Sequence, residues 1–354
     1  MTSTTVRFLV DRVPGRLATA LVVGVAALHG AGCSGQSDLY PGADDAPFEW
    51  IGPPNSRGYA ISADGKVVVG KLGGVPGRWT AKTGFQELCA PAERVDDGAA
   101  RAVNADGTVV GGYASLPSGK GAFRWTTDAA AVSLEHSPDS EVPSVSANGS
   151  SMAGTTRPGG GTTATHAFRW TESTGTEDLG DIGPNVRVSG MSADGTVIVG
   201  TASDDSGNRS FRWTREQGVF WLPSVNGSAT AVSGDGKTIV GIDDQPGGFF
   251  VYTDKDGYVH VGTGDLYAQP TTVNYDGSVI AGHSPEVEWV WDRSNGLRML
   301  PDLLRALDAD PGNPLGRDPG YLYGYVYAVS ADGKVFTGEA IGADDQVRAW
   351  IARL

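Results

Sequence analysis

Seven residues with oxygen-bearing side chains recur along the chain, each followed by glycine: Asp64, Asp106, Asn148, Asp194, Asp235, Asp276 and Asp332. Together they look like a ring of carboxylates. The same dipeptides are also what a tight hairpin demands, since Asp-Gly supplies residues that tolerate positive φ and Asp or Asn bonds to its own backbone. The turn reading needs no ligand, and we take these seven as structural turn residues. Arg78, Arg124, Arg169 and Arg212 each precede a Trp. They suit an anion-binding array or, more simply, salt bridging and ring stacking between neighbouring repeats. Tyr321, Tyr323, Tyr325 and Tyr327 alternate, which places all four on one face of an extended strand. That face is the candidate ligand face, a stacking platform for a sugar or peptide; the plainer alternative is that the rings pack beneath the insert that precedes them.

Other candidates are weaker. Asp204-Asp-Ser-Gly-Asn208 and Asp308-Ala-Asp310-Pro-Gly-Asn313 crowd oxygen donors as a calcium loop would, but neither ends in the required Glu. Calcium is therefore the only candidate ion, and no cofactor is expected. His29, His136, His166, His260 and His283 are scattered without zinc-ligand spacing. Gly282-His-Ser-Pro285 begins like a nucleophile elbow and lacks its final glycine. No catalytic constellation is recognisable, so the expectation is a protein that is not an enzyme.

The elements that position these residues follow from the repeat. Successive turn residues are 42, 42, 46, 41, 41 and 56 apart, the period of a four-stranded propeller blade with loop insertions. Three residues before each turn Asp or Asn stand Ile61, Val103, Val145, Met191, Val232, Val273 and Val329; six after it stand Gly70, Gly112, Gly154, Gly200, Gly241, Gly282 and Gly338. A third-strand aromatic recurs as Trp79, Trp125, Trp170, Trp213, Tyr252, Trp291 and Trp350. Six repeats reach a fourth-strand end, at Leu88, Leu134, Leu179, Leu222, Val261 and Leu300, and the seventh has none. Phe48-Glu-Trp-Ile-Gly52, ahead of the first repeat, resembles such a strand and can supply it. The reading is all-β: a seven-bladed β-propeller of four-stranded blades over 47–354, closed by pairing of 47–52 with the C-terminal blade, which removes open sheet edges. An insert at about 301–320 carries Leu303, Leu304 and Leu307 at helical spacing and is expected to form a short helix ended by Pro311-Gly312.

Composition agrees. The chain has 52 Gly and 20 Pro, suited to many short strands, and a net charge of −14 from 27 Lys plus Arg against 41 Asp plus Glu, which disfavours a nucleic-acid partner. With two cysteines, Cys33 and Cys89, stability must come from packing. Residues 1–32 read as a signal peptide: Arg7, Arg12 and Arg16 precede an apolar run from Leu17 to Leu28 that is short of the roughly 20 residues a membrane span takes. Gly30-Ala-Gly-Cys33 resembles a bacterial lipobox, implying a lipid on Cys33 and a flexible tether over 33–46; ordinary signal-peptidase cleavage is the alternative.

Thr165-His-Ala-Phe-Arg-Trp-Thr171, together with the Ser-Ala-Asp-Gly turns and the closing Ala349-Trp-Ile-Ala-Arg-Leu354, resembles the HAF family of extracellular repeats, named for its His-Ala-Phe triplet. The likeness covers 47–354, although the full triplet occurs once and repeat five has Phe249-Phe-Val-Tyr252. It implies an exported propeller and carries no catalytic residues over. The resulting expectation is a monomeric, lipid-anchored binding or scaffolding module at the bacterial outer membrane or cell surface, with periplasmic or secreted placement as alternatives. Its partners would be the membrane and an unknown envelope protein or glycan. An envelope glycan hydrolase or lyase on the same ring, needing two facing carboxylates, and an adhesion protein using the tyrosine face are the other readings.

Overall fold

In a computed structural model, seven antiparallel sheets of four strands each follow one another along the chain. It describes residues 46–354 apart from 89–95, 117–118, 135–139, 158–163, 224–225, 243–244, 246, 308–323 and 343. The signal segment, Cys33, Cys89, Asp308–Asn313, Tyr321 and Tyr323 lie outside the described residues. Blades one to six span 57–87, 96–133, 141–178, 186–221, 228–262 and 269–299. Blade seven takes three strands from 324–353 and its fourth from Phe48–Trp50.

The closing strand pairs in the register Phe48↔Ala352, Glu49↔Ile351 and Trp50↔Trp350. Phe48 stacks on Trp350 with centroids 6.0 Å apart, and Arg353 donates to Glu49 at 3.0 Å. Ile51 follows the strand, fully buried, and its N–H donates to Ala349 O at 2.9 Å. The sequence expectation of a seven-bladed ring joined through its two ends therefore holds.

Cohesion between blades comes from apolar faces. Val67 and Val69 of blade one pack with Ala100, Val110 and Phe123 of blade two, and the same pattern recurs around the ring. Both faces of a blade are covered, so a run such as Val67-Val-Val69 is buried throughout and need not alternate.

The recurrent turns differ in detail from the sequence expectation. A two-residue turn would need positive φ at Asp and Gly alike, but among the turn residues only the glycines have it, at 71 to 77°. Each loop holds four residues: Ser62 N donates to Val67 O and Gly65 N to Ser62 O. The aspartate's part is to accept hydrogen bonds. Asp64 Oδ1 takes one from Ser62 Oγ at 2.7 Å and one from Lys66 N, while Ser62 Oγ accepts from Val67 N. Where Asn replaces the serine, as at Asn104 and Asn274, Thr108 or Ser278 donates to the Asp instead. Hydrogen bonds from Thr108 and Ser278 hold the carboxyls of Asp106 and Asp276 below the usual range.

These turns also form a continuous hydrogen-bonded circle. Ala63 N donates to Ala105 O, Ala105 to Ala147, Ala147 to Ala193, Ala193 to Gly234, Asp235 to Tyr275, Tyr275 to Ala331, and Ala331 back to Ala63 O, at 2.7 to 3.3 Å. Seven backbones about 4.8 Å apart enclose a ring about 11 Å across. One end of the central channel is thus bounded by turns that bind one another.

The insert begins with a helix, Leu300–Arg305, whose Leu300 and Leu304 are fully buried. It is shorter than its leucine spacing suggests. The helix stops before Pro311-Gly312, and Leu307 is 46% exposed beyond its end.

Candidate functional site

The opposite end of the channel is built by a backbone irregularity repeated in every blade. Register shifts interrupt each first strand between residues 58 and 60, 100 and 102, 141 and 144, 188 and 190, 229 and 231, 270 and 272, and 326 and 328. A bulge of this kind leaves a residue unpaired and re-aims its side chain. The residues concerned are Tyr59, Arg101, Pro143, Ser189, Thr230, Thr271 and Tyr327, each five before a turn Asp or Asn. All seven line one cavity of about 640 Å³, together with Glu141, Arg187, Asn208, Ser228, Gln269 and His283. Pro143 fits its place because a bulged residue need not donate to the ladder.

Glycine makes the bulge possible. A Cβ on Gly200 would collide with Arg187 O, and one on Gly70, Gly112, Gly154, Gly241, Gly282 or Gly338 would meet the equivalent carbonyl of its own blade. The recurrent glycine six residues after the turn therefore records a close backbone approach to the bulged strand.

One wall of the mouth is aromatic and cationic. His283 meets Tyr325 edge-on at 4.4 Å, Tyr325 stacks on Tyr327 at 5.8 Å, Tyr327 meets Tyr59 at 5.1 Å, and the Arg101 guanidinium sits 4.2 Å from the Tyr59 centroid. This continuous series crosses four blades. Tyr327 donates to Glu339 at 3.1 Å, and Glu339 also pairs with Arg57. Burial raises the Tyr59 and Tyr327 phenols above their ordinary value, so both stay neutral. Burial also lowers His283, keeping its imidazole uncharged near neutrality. The other wall is neutral and polar, formed by Ser189, Ser228, Thr230, Thr271, Asn208 and Gln269.

The charges in the mouth are unequally compensated. Among the described residues no carboxylate lies within ion-pair distance of Arg101 or Arg187, and Arg101 Nε is buried without a hydrogen-bond acceptor. Glu141, on the strand between theirs, is likewise without an ion-pair partner. A second cavity of about 560 Å³ adjoins the mouth between blades six and seven, lined by His283, Ser284, Tyr325 and Glu339 among others.

The predicted site residues are distributed accordingly. The seven turn residues lie at the far end of the first strands, beside the hydrogen-bonded circle, which Asp235 alone of them joins. Tyr327 lines the mouth, and Tyr325, stacked on it, lines the adjoining cavity between blades six and seven. Arg78 and Arg169 donate to Gly107 O and Gly195 O of the next blade's turn, Arg124 lies 5.7 Å from the Trp170 ring, and Arg212 pairs with Asp254 at 3.6 Å. That is the stapling role between repeats. The serine of Gly282-His-Ser-Pro285 is committed to a local turn, accepting from Glu286 N and Val287 N. Asp204 likewise accepts from Ser206 N. Among the described residues no group of three or more His, Cys, Asp or Glu side chains could hold a metal ion. Sequence reasoning missed Tyr59, Arg101, Arg187 and Glu339; the readable signal was a fixed offset at which the residue type changes from repeat to repeat.

No family model matches this chain, and no curated protein does. Solved structures show its fold. It is similar to the β-propeller domain of Cps50 (Swd1) from Myceliophteria thermophila, at 11% identity and a TM-score of 0.55, with 85% of this chain and 98% of that one covered. It also resembles a chain of the mitotic checkpoint complex, at 15% identity and a TM-score of 0.51 over 99% of each chain. TolB from Acinetobacter baumannii aligns at 11% identity with a TM-score of 0.49 over 67% of this chain and 64% of that one, less than two thirds of TolB's length. At these identities the likeness is one of fold. No helix among the described residues is long and apolar enough to cross a membrane.

Proposed function

We propose that this chain is an exported HAF-repeat propeller, anchored by a lipid on Cys33, that binds an envelope ligand at the channel mouth opposite the turn circle. The observation that carries the binding role is the ring of bulged residues. The blades share their turn, glycine and aromatic positions, yet the seven side chains aimed into the cavity are Tyr, Arg, Pro, Ser, Thr, Thr and Tyr. A position set by geometry alone would repeat with the geometry. A cavity of this size with convergent polar groups is the ordinary form of a binding site.

Two experiments test the reading. Ser189 is half-buried in the mouth, and Ser189→Trp should plug it; a screen of the full chain against soluble envelope glycans and peptides should give ligands that the variant loses while its melting temperature is kept. A ligand held equally by both proteins would place binding elsewhere. Cys33→Ala should release the protein from membranes, and undiminished membrane association would exclude the lipid anchor.

A further inference from the structure

We infer that the mouth takes an acidic carbohydrate, a short run of pyranose rings bearing carboxylates, with Arg101 and Arg187 as the carboxylate receptors. This rests on reading the channel mouth as the binding site. The first ground is electrostatic. In a chain of net charge −14, carboxylates are abundant, yet the two arginines of the mouth have no acidic partner among the described residues. Arg101 is the more telling of the two. Its Nε is buried and has no acceptor, so the guanidinium depends on its outer nitrogens for partners, and a carboxylate in the mouth would supply one. Tyr59 fixes the guanidinium from one side, so less side-chain freedom is lost when the carboxylate arrives.

The second ground is the division between the walls. Flat faces suit the C–H surfaces of sugar rings: Tyr59 and Tyr327 line the mouth, and Tyr325, 41% exposed, continues the series into the adjoining cavity. Across the cavity the Ser189 side chain has no hydrogen-bond partner among the described residues, nor has that of Gln269, beside His283, while Asn208 donates to Ser228 at 3.2 Å. Ring hydroxyls could engage the first two directly and the second pair by exchange. An acidic peptide would satisfy the arginines equally well, but it would leave the tyrosine faces and the hydroxyl wall without matched partners. Glu141, between the two arginines, would favour a ligand whose carboxylates are spaced apart, as on successive sugar rings.

The test is calorimetric titration of the full chain with trigalacturonic acid, the neutral galactotriose and triglutamate. The acidic trisaccharide should bind, more weakly as salt rises, and Arg101→Gln and Arg187→Gln should each weaken it about tenfold or more. Arg187 is exposed, so its variant keeps the test valid if Arg101→Gln proves poorly folded. Equal binding of galactotriose would show that the carboxylates are not recognised and would overturn the inference. Binding of triglutamate in place of the sugar would overturn the ligand class and leave the mouth as the site. No binding of trigalacturonate up to about 10 mM would also overturn it. Binding that survives Ser189→Trp would instead refute the mouth itself, which separates failure of this inference from failure of the broader reading.

Discussion

Glu288 opens the third strand of blade six with its side chain wholly buried and neither carboxyl oxygen hydrogen-bonded. Its cross-strand neighbour is His283, an uncharged ring, so no cation offsets the burial. Burial pushes the carboxyl up to about 8, with the nearby N–H groups of Glu288 and Gly324, short of hydrogen-bond geometry, partly opposing the rise. An unfolded glutamate titrates near 4.3, so between about pH 4.3 and 8 the folded chain holds one proton more than the unfolded one. Stability contributed by this group is then fully present at low pH and falls as pH rises across that window, by about 1.4 kcal/mol per unit. Glu288→Gln keeps the shape and removes the titration. For a propeller of about 300 residues the unfolding entropy is roughly 0.6 kcal/mol per kelvin, so the difference in Tm between variant and wild type should grow by about 2 °C per pH unit in the variant's favour.

Scanning calorimetry of both proteins from pH 5 to 8, at constant ionic strength, measures that slope. The turn aspartates work in the opposite sense, since hydrogen bonding depresses their carboxyls and their contribution is lost only as the medium becomes strongly acid. His283, lowered by burial, makes stability rise with pH as it deprotonates. The turn effect is common to the two proteins and cancels in the difference, while a change at His283, the cross-strand neighbour, is confined to the acid end of the range. Parallel Tm curves would mean that Glu288 is ionised and solvated, and the packing assigned to the blade six and seven junction would be wrong.

Two further perturbations test the frame. Ile51→Ala empties a fully buried site between the closing strand and blade one, and should cost about 2 to 5 kcal/mol in urea unfolding; a loss under about 1 kcal/mol would show that the ends do not close the ring. Gly200→Ala drives a methyl into Arg187 O and should destabilise by about 1 to 3 kcal/mol, shifting the amide resonances of Arg187 and Ser189 in the mouth. Unchanged resonances there would refute the coupling of glycine to bulge.

The ring itself was legible because its causes repeat. Seven Asp-Gly or Asn-Gly turns at one offset from a glycine, each followed by a third-strand aromatic, mark blade number and strand order, and the unmatched Phe48-Glu-Trp-Ile-Gly52 marks the closure. The turn's inner form was less legible. Asp-Gly alone suggests two residues of positive φ, whereas Ser62 Oγ, accepting from Val67 N, holds open a longer loop that uses only one. Hydroxyl-to-backbone bonds five residues apart leave little trace in a hydrophobicity pattern.

The site was hidden for a related reason. Comparing repeats selects what stays the same, while the residues aimed into the cavity are those that differ. Tyr327 stands out in the sequence only because tyrosines cluster there; Tyr59, at the same station in blade one, stands between Gly58 and Ala60 with nothing to mark it. What makes such a station recognisable is its partner eleven residues on, the glycine that a Cβ would drive into the bulged strand's carbonyl. That glycine is fixed by backbone contact and is indifferent to the side chain at the bulge. The two positions therefore divide the labour within each blade: one holds the strand in its bent form, and the other is free to take whatever chemistry the ligand requires.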